Sequence, residues 1–186
     1  MTLEFPAGPF FDVKVEQTWA GDVFPHWRAK SGNHSLIEAA CVRSTGALAY
    51  LTLYIIDKKQ VREVKRRNVA HKPVETQPVF DRGLWPSDVL DTTVPSELGR
   101  RVVDESRSLA LTVGKTWITL TLAGLCKIRE VLKTGRVRFG LDENSALRQV
   151  EIVELTAEEV SAVRKAVSID GYLPAQQRRN CKHPSA

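Results

Sequence analysis

Nowhere in the chain do 18 apolar residues follow one another, so no segment reads as a membrane-spanning helix. Met1 to Phe10 has no basic stretch followed by a long apolar run. A cleaved signal peptide is therefore not expected, and the protein reads as cytoplasmic, with peripheral membrane association compatible. Cysteine is scarce. Cys41, Cys126 and Cys181 are odd in number and too far apart for a CxxC pair, which excludes a disulfide framework and a cysteine zinc site. All three read as reduced, with Cys41 and Cys126 as small core residues.

Motifs with a catalytic mechanism are missing as well. Val113-Gly114-Lys115-Thr116 has the end of a phosphate-binding loop, but Leu109 stands where the upstream glycine is needed, so the loop cannot cradle a phosphate. There is no Gly-x-Ser-x-Gly elbow and no His-Glu-x-x-His pair. His26, His34 and Cys41 concentrate catalytic-type side chains. As a cysteine nucleophile with a histidine base they would make a small enzyme; the plainer reading puts the histidines in a surface loop and Cys41 in a packed helix. Asp81, Asp88 and Asp91 could serve a metal-dependent nuclease, but without a Lys or Glu at recognisable spacing they read as solvated loop acids or helix caps. No catalytic residue, metal site or cofactor is assigned.

What the chain does contain is an ordinary globular composition. Its 186 residues are enough for one good core, and 42% hydrophobic with 26% charged content excludes global disorder. The reading is a single domain over residues 1–171 with a long proline-containing loop at 71–95, followed by a mobile polar tail at 172–186.

Strand signals are clearest late in the chain. Thr116 to Leu122 alternates with Ile118, Leu120 and Leu122 on one face. Thr134-Gly135 marks a hairpin leading into Arg136 to Leu141, with Val137, Phe139 and Leu141 inward and the arginines outward. Asp142 to Ser145 is a polar turn, and Leu147 to Leu155 alternates again, with Val150 and Ile152 inward and Gln149 and Glu151 outward. Thr156-Ala157-Glu158-Glu159 is a capping box opening a helix to about Ser168 that carries Val160, Val163 and Val167. Earlier, Phe11 to Trp19 alternates as a half-buried strand, and Ala20 to Asn33 reads mostly as loop, with Phe24 and Trp27 tucked into the core. Leu36 to Val42 reads as a short helix capped by Ser35. The apolar run Ala47 to Ile56 fits a buried strand or helix, with strand favoured by its tyrosines and β-branched residues. The loop at 71–95 is pinned by Phe80, Leu84 and Trp85. Ser96 to Val113 places Leu98, Val102, Leu109 and Val113 on one stripe, predicting a second principal helix. The expected fold is thus α+β, a mainly antiparallel sheet of about five strands with two principal helices on one face.

Positive charge is concentrated. Lys58, Lys59, Arg62, Lys65, Arg66, Arg67 and Lys72 stand against Asp57 and Glu63, so this one segment has a net charge of +5, equal to that of the whole chain. Lys127, Arg129, Lys133, Arg136 and Arg138 form a second group on the hairpin, and Arg178, Arg179 and Lys182 a third on the tail. Aromatic residues that could stack bases do not interleave with these runs, which favours backbone phosphate contacts over base reading.

The expected function is a non-enzymatic binding or assembly protein, open to homo-oligomer formation, whose basic surface engages nucleic acid, RNA in the first instance, without strong sequence specificity. Its anion contacts are assigned to Lys58, Lys59, Arg62, Lys65, Arg66, Arg67, Lys72, Arg129, Arg136 and Arg138. The order of elements, an amphipathic strand, a short helix and apolar run, then a long proline-containing loop, resembles that of small matrix proteins of negative-strand RNA viruses. No residue motif carries the likeness, and the Pro-Pro-x-Tyr signal of some members is missing. It implies the leading alternative, a self-associating structural protein lying on an acidic membrane surface.

Overall fold

The computed structural model of the chain describes residues 2–4, 11–14, 25–31, 35–53, 58–63, 72–91, 102–122 and 127–167. In chain order its strands are β1 (Thr2–Glu4), β2 (Phe11–Lys14), β3 (His26–Ser31), β4 (Ser35–Cys41), β5 (Leu48–Leu53), β6 (Val61–Glu63), β7 (Val74–Glu75), β8 (Val102–Ser106), β9 (Leu109–Val113), β10 (Trp117–Leu122), β11 (Glu130–Thr134), β12 (Val137–Leu141) and β13 (Leu147–Val153). Helices among these residues are a single turn, α1 (Ser87–Leu90), and α2 (Ala157–Val167), with two short 3-10 segments, Lys58–Gln60 and Arg82–Leu84.

The strands form two sheets. One has six strands in the order β1-β2-β5-β4-β3-β8, the other seven in the order β6-β9-β10-β13-β12-β11-β7. Pairing is antiparallel except for β3 with β8, β6 with β9 and β11 with β7. Each sheet has an apolar inner face: Trp27, Ala29, Ile37, Ala39, Leu51 and Leu53 on the first share one core with Leu109, Leu111, Ile118, Leu120, Phe139 and Ile152 on the second. Face-to-face burial of two sheets is therefore what holds the fold.

This overturns the expected α+β architecture of one five-stranded sheet covered by two helices. The second principal helix does not exist: its C-terminal part is β8 and β9, and 96–101 lies outside the described residues. Leu109, Leu111 and Val113 are buried and alternate with half-buried Ala110 and Thr112, so period 2 prevails over the helical stripe. Pairing with β10 over five residue pairs satisfies the backbone that a helix would have satisfied internally. The short helix at Leu36 to Val42 is likewise a strand, β4, with Ile37, Ala39 and Cys41 buried. Seven residues are too few for a stable lone helix, whereas β3 and β5 on either side give β4 a full ladder. The element order behind the matrix-protein resemblance therefore loses its helix. Residues 26–31, read as loop, form β3, with Trp27 and Ala29 inward and His26, Arg28 and Lys30 outward.

Other expectations stand. In β10, Ile118, Leu120 and Leu122 are buried, and β11 and β12 form the hairpin, with Gly135 at φ 57 in its turn. The run from Ala47 resolves as strand β5. α2 begins at the capping box: Thr156 N–H donates to Glu159 Oε2 at 2.8 Å and Glu159 N–H to Thr156 Oγ1 at 3.2 Å. Leu155, Val160 and Val163 join the core. The proline-rich segment is strapped to the β4–β5 turn, because Phe80 N–H donates to Gly46 O and Leu48 N–H to Pro78 O. Trp85 is buried and Phe80 packs against the core, but Leu84, expected as a third anchor, is 41% exposed. Phe24, Cys126 and the tail at 172–186 lie outside the described residues. Among those described, no helix is long and apolar enough to cross a membrane.

Candidate nucleic-acid interface

The basic run starts beside the six-stranded sheet and leaves along the seven-stranded one. Gln60 anchors its first turn: its amide nitrogen donates to Ser31 Oγ at 2.9 Å and its oxygen accepts from Ser35 Oγ at 2.6 Å, clamping the β3–β4 connection. Val61 in β6 then packs against the core, and Arg62 next to it is exposed. Lys65, Arg66 and Arg67 lie outside the described residues. Lys72 is exposed just ahead of β7. Because β6 and β7 are opposite edges of the seven-stranded sheet, the run joins one edge to the other.

One cross-strand row on the outer face of that sheet links all seven strands. Its register is Glu75, Lys133, Arg138, Glu151, Thr119, Thr112 and Arg62, one residue per strand from β7 to β6. Opposite charges alternate at the β7 end: Lys133 Nζ lies 3.3 Å from Glu75 Oε2 and Arg138 Nη1 3.6 Å from Glu151 Oε2. Glu151, expected outward and wet, does face outward but is only 6% exposed, and its charge is matched by Arg138. Arg138 Nε is buried without a hydrogen-bond partner among the described residues.

The hairpin arginines are thus both set against acids of the fold. Arg136 forks onto Glu159 with Nη1 and Nη2 at 3.1 and 2.6 Å and donates Nε–H to Val153 O. Arg136, foremost, and then the Thr156 amide hold the Glu159 carboxyl below its ordinary range, against the opposing effect of burial. By contrast, Arg62, Lys72, Lys127 and Arg129 are exposed, and among the described residues none is ion-paired. Lys59 is exposed in the 3-10 turn of which Lys58 is the first residue. Lys72 stands two residues ahead of β7, and Lys127 and Arg129 just ahead of β11, the strand with which β7 pairs, while Lys59 and Arg62 belong to the β6 edge.

Among the described residues the catalytic alternatives are not assembled. His26 and Cys41 lie on neighbouring strands with opposite facing: His26 Nδ1 is 2.8 Å from Glu38 Oε1 on the outer face, whereas the Cys41 thiol points into the core. Burial pushes that thiol up to about 12, with Arg82 acting weakly in the other direction, so a thiolate is suppressed. His34 lies outside the described residues. Asp81 accepts from Gly83 N–H and caps the second 3-10 turn, Asp88 sits in the first turn of α1, and Asp91 offers its backbone oxygen to Arg43. Among the described residues no three His, Cys, Asp or Glu side chains gather to hold a metal ion.

A feature absent from the sequence reading is the outer face of the six-stranded sheet. Asp104 there takes two bonds from Arg28, at 2.7 and 3.1 Å, and one from Lys30 at 2.7 Å, and these two cations keep its carboxyl low. Alternating polar residues in His26 to Ser31 are the signal that marks it. No protein-family model matches the chain, and no curated protein matches it significantly.

Proposed function

We propose that this is a non-enzymatic protein that binds the phosphate backbone of nucleic acid, RNA foremost, without reading bases. The observation carrying the reading is the pair Arg62 and Lys72: the charge-dense run between them ends in an exposed cation at each edge of one sheet, while acids are placed against the hairpin arginines instead. Condensed counterions released by such a strip supply affinity without sequence preference. The inner sheet faces are occupied by core, and no aromatic residue interleaves with the run from Lys58 to Lys72, which supports backbone contact over stacking. Binding of a short RNA duplex, followed by fluorescence anisotropy across a salt series, tests this. Replacing Lys65, Arg66 and Arg67 by Glu should weaken binding and flatten its salt dependence while the far-ultraviolet spectrum stays unchanged; undiminished affinity would sink it.

A second reading, attachment to an acidic membrane surface, is favoured by one observation. Val74, Val79 and Leu84 are exposed by 52%, 65% and 41% in the same segment as Lys72 and Arg82. Apolar residues beside cations suit an anionic bilayer surface. Sedimentation with phosphatidylserine vesicles that is lost on Val79→Asp, with RNA binding weak throughout, would transfer the assignment to that surface.

A further inference from the structure

Packed sheets ordinarily fill the space between them with interdigitated side chains. At one end these two do not. Trp27 and Leu51 of the six-stranded sheet stand across from Leu132 and Phe139 of the seven-stranded sheet around an open-mouthed cavity of about 350 Å³, room for about ten water-sized groups. An apolar wall of this kind gives water too few partners to hold it in order.

Polar lining comes from Asp81, from Asn144 and Ser145, and from the pair Glu105 and Arg107. Glu105 and Arg107, at the end of β8, form an ion pair in which one carboxylate oxygen, Oε2, receives both Arg107 Nε at 2.8 Å and Nη2 at 2.7 Å. Glu105 Oε1 is thereby left as an acceptor and Arg107 Nη1 as a donor. A carboxylate head would meet the carboxylates of Glu105 and Asp81, and an ammonium head would meet Arg107. A hydroxyl or primary amide, which both donates and accepts, can bond to either member of the pair. The mouth is bordered on one side by Val79 and Leu84 and on the other by the turn at Asn144 to Ala146. That turn is fixed by Asp142, which accepts from Asn144 N–H, Ala146 N–H and Arg148 Nε.

We infer that this cavity binds an uncharged amphiphile, an aliphatic or aromatic body of about ten heavy atoms carrying a hydroxyl or amide head that bonds to the Glu105–Arg107 pair. The site is separate from the basic edges, and its ligand needs no nucleic acid. Calorimetric titration of the full chain with 1-decanol, decanoate and decylammonium, each below its aggregation threshold, tests it. Decanol should bind at one site and the two charged chains at least tenfold more weakly. Ala146→Phe, which places a ring in the mouth, should cost decanol at least tenfold in affinity with an unchanged melting curve; Leu132→Phe fills the cavity from the opposite wall and stands in if the first variant misfolds. Failure of decanol to bind, or equal binding to a folded filled variant, overturns the site. Decanoate binding as tightly as decanol overturns the head-group assignment.

Discussion

Arg136 and Glu159 meet in a two-pronged ion pair, at 3.1 and 2.6 Å, that fastens the β11–β12 turn to the first turn of α2. The same carboxylate accepts the Thr156 amide, so one side chain serves the hairpin and the helix cap together. Because its folded-state pKa is depressed below the ordinary 4.5, the stabilisation is fully present above that value and is lost as pH falls through it towards the folded-state value. Melting temperature should hold from pH 7 to about 5 and then drop, and Glu159→Gln should drop less steeply than the parent. Asp104, held low by Arg28 and Lys30, and Asp142, held low foremost by Arg148, add acid sensitivity of the same sign. Identical pH profiles for parent and Glu159→Gln would show that the pair contributes nothing.

The helix cap can be tested separately. Thr156→Ala removes the acceptor of the Glu159 N–H and should cost ~1 kcal/mol in denaturant titration. Serine at the same position should restore most of the loss. Equal losses for alanine and serine would assign the effect to packing of the threonine methyl group.

Gly46 is the hinge pin of the strap formed by the proline-rich segment. Its φ is +75, and a Cβ there would collide with the Phe80 carbonyl oxygen. Gly46→Ala should therefore destabilise by about 1–3 kcal/mol from backbone strain, more if Phe80 and Trp85 lose their seats. A variant as stable as the parent would mean that the strap moves aside freely.

Burial of Cys41 sets its reactivity. In a chain with Cys126→Ser and Cys181→Ser, iodoacetamide at pH 8 should leave the folded protein unmodified over hours and label it fully in denaturant, because the thiol stays protonated up to about 12. Rapid labelling of the native protein would restore Cys41 as a candidate nucleophile.

Local pattern carried the chain from Thr116 to Val167 because its strands alternate cleanly between recognisable turns. Ile118, Leu120 and Leu122 could sit only one way, and the capping box named the start of α2 to the residue. Leu109 and Val113, four apart, satisfy a helix stripe and a strand face equally, as do the apolar residues of Leu36 to Cys41. The tie is broken by pairing with β10 in one case and with β3 and β5 in the other, which no sequence window contains. Site chemistry divides the same way. The density of cations from Lys58 to Lys72 is written in the composition, whereas the fate of Arg136 and Arg138 depends on acids delivered by the register of β12 on β13 and by the fold-back of α2.

That division sets the sharpest test of the nucleic-acid reading. Arg62 and Lys72 are exposed, and among the described residues neither is ion-paired, so each is available to a phosphate; Arg138 faces Glu151 and is not. If the exposed cations contact phosphate, Arg62→Ala and Lys72→Ala should each reduce the log-log salt slope of RNA binding by about 0.9 and leave stability within about 0.5 kcal/mol of the parent. Arg138→Ala should do the reverse: the slope stays constant while stability falls, by roughly 3–5 kcal/mol at most, the upper cost of removing one partner from the buried Glu151. Slopes are measured by anisotropy between 50 and 200 mM salt, a span on the order of that over which phosphate contacts lose affinity steeply. An unchanged slope in the double variant Arg62→Ala with Lys72→Ala would remove both edges from the interface and leave residues 64–71 as the place to look.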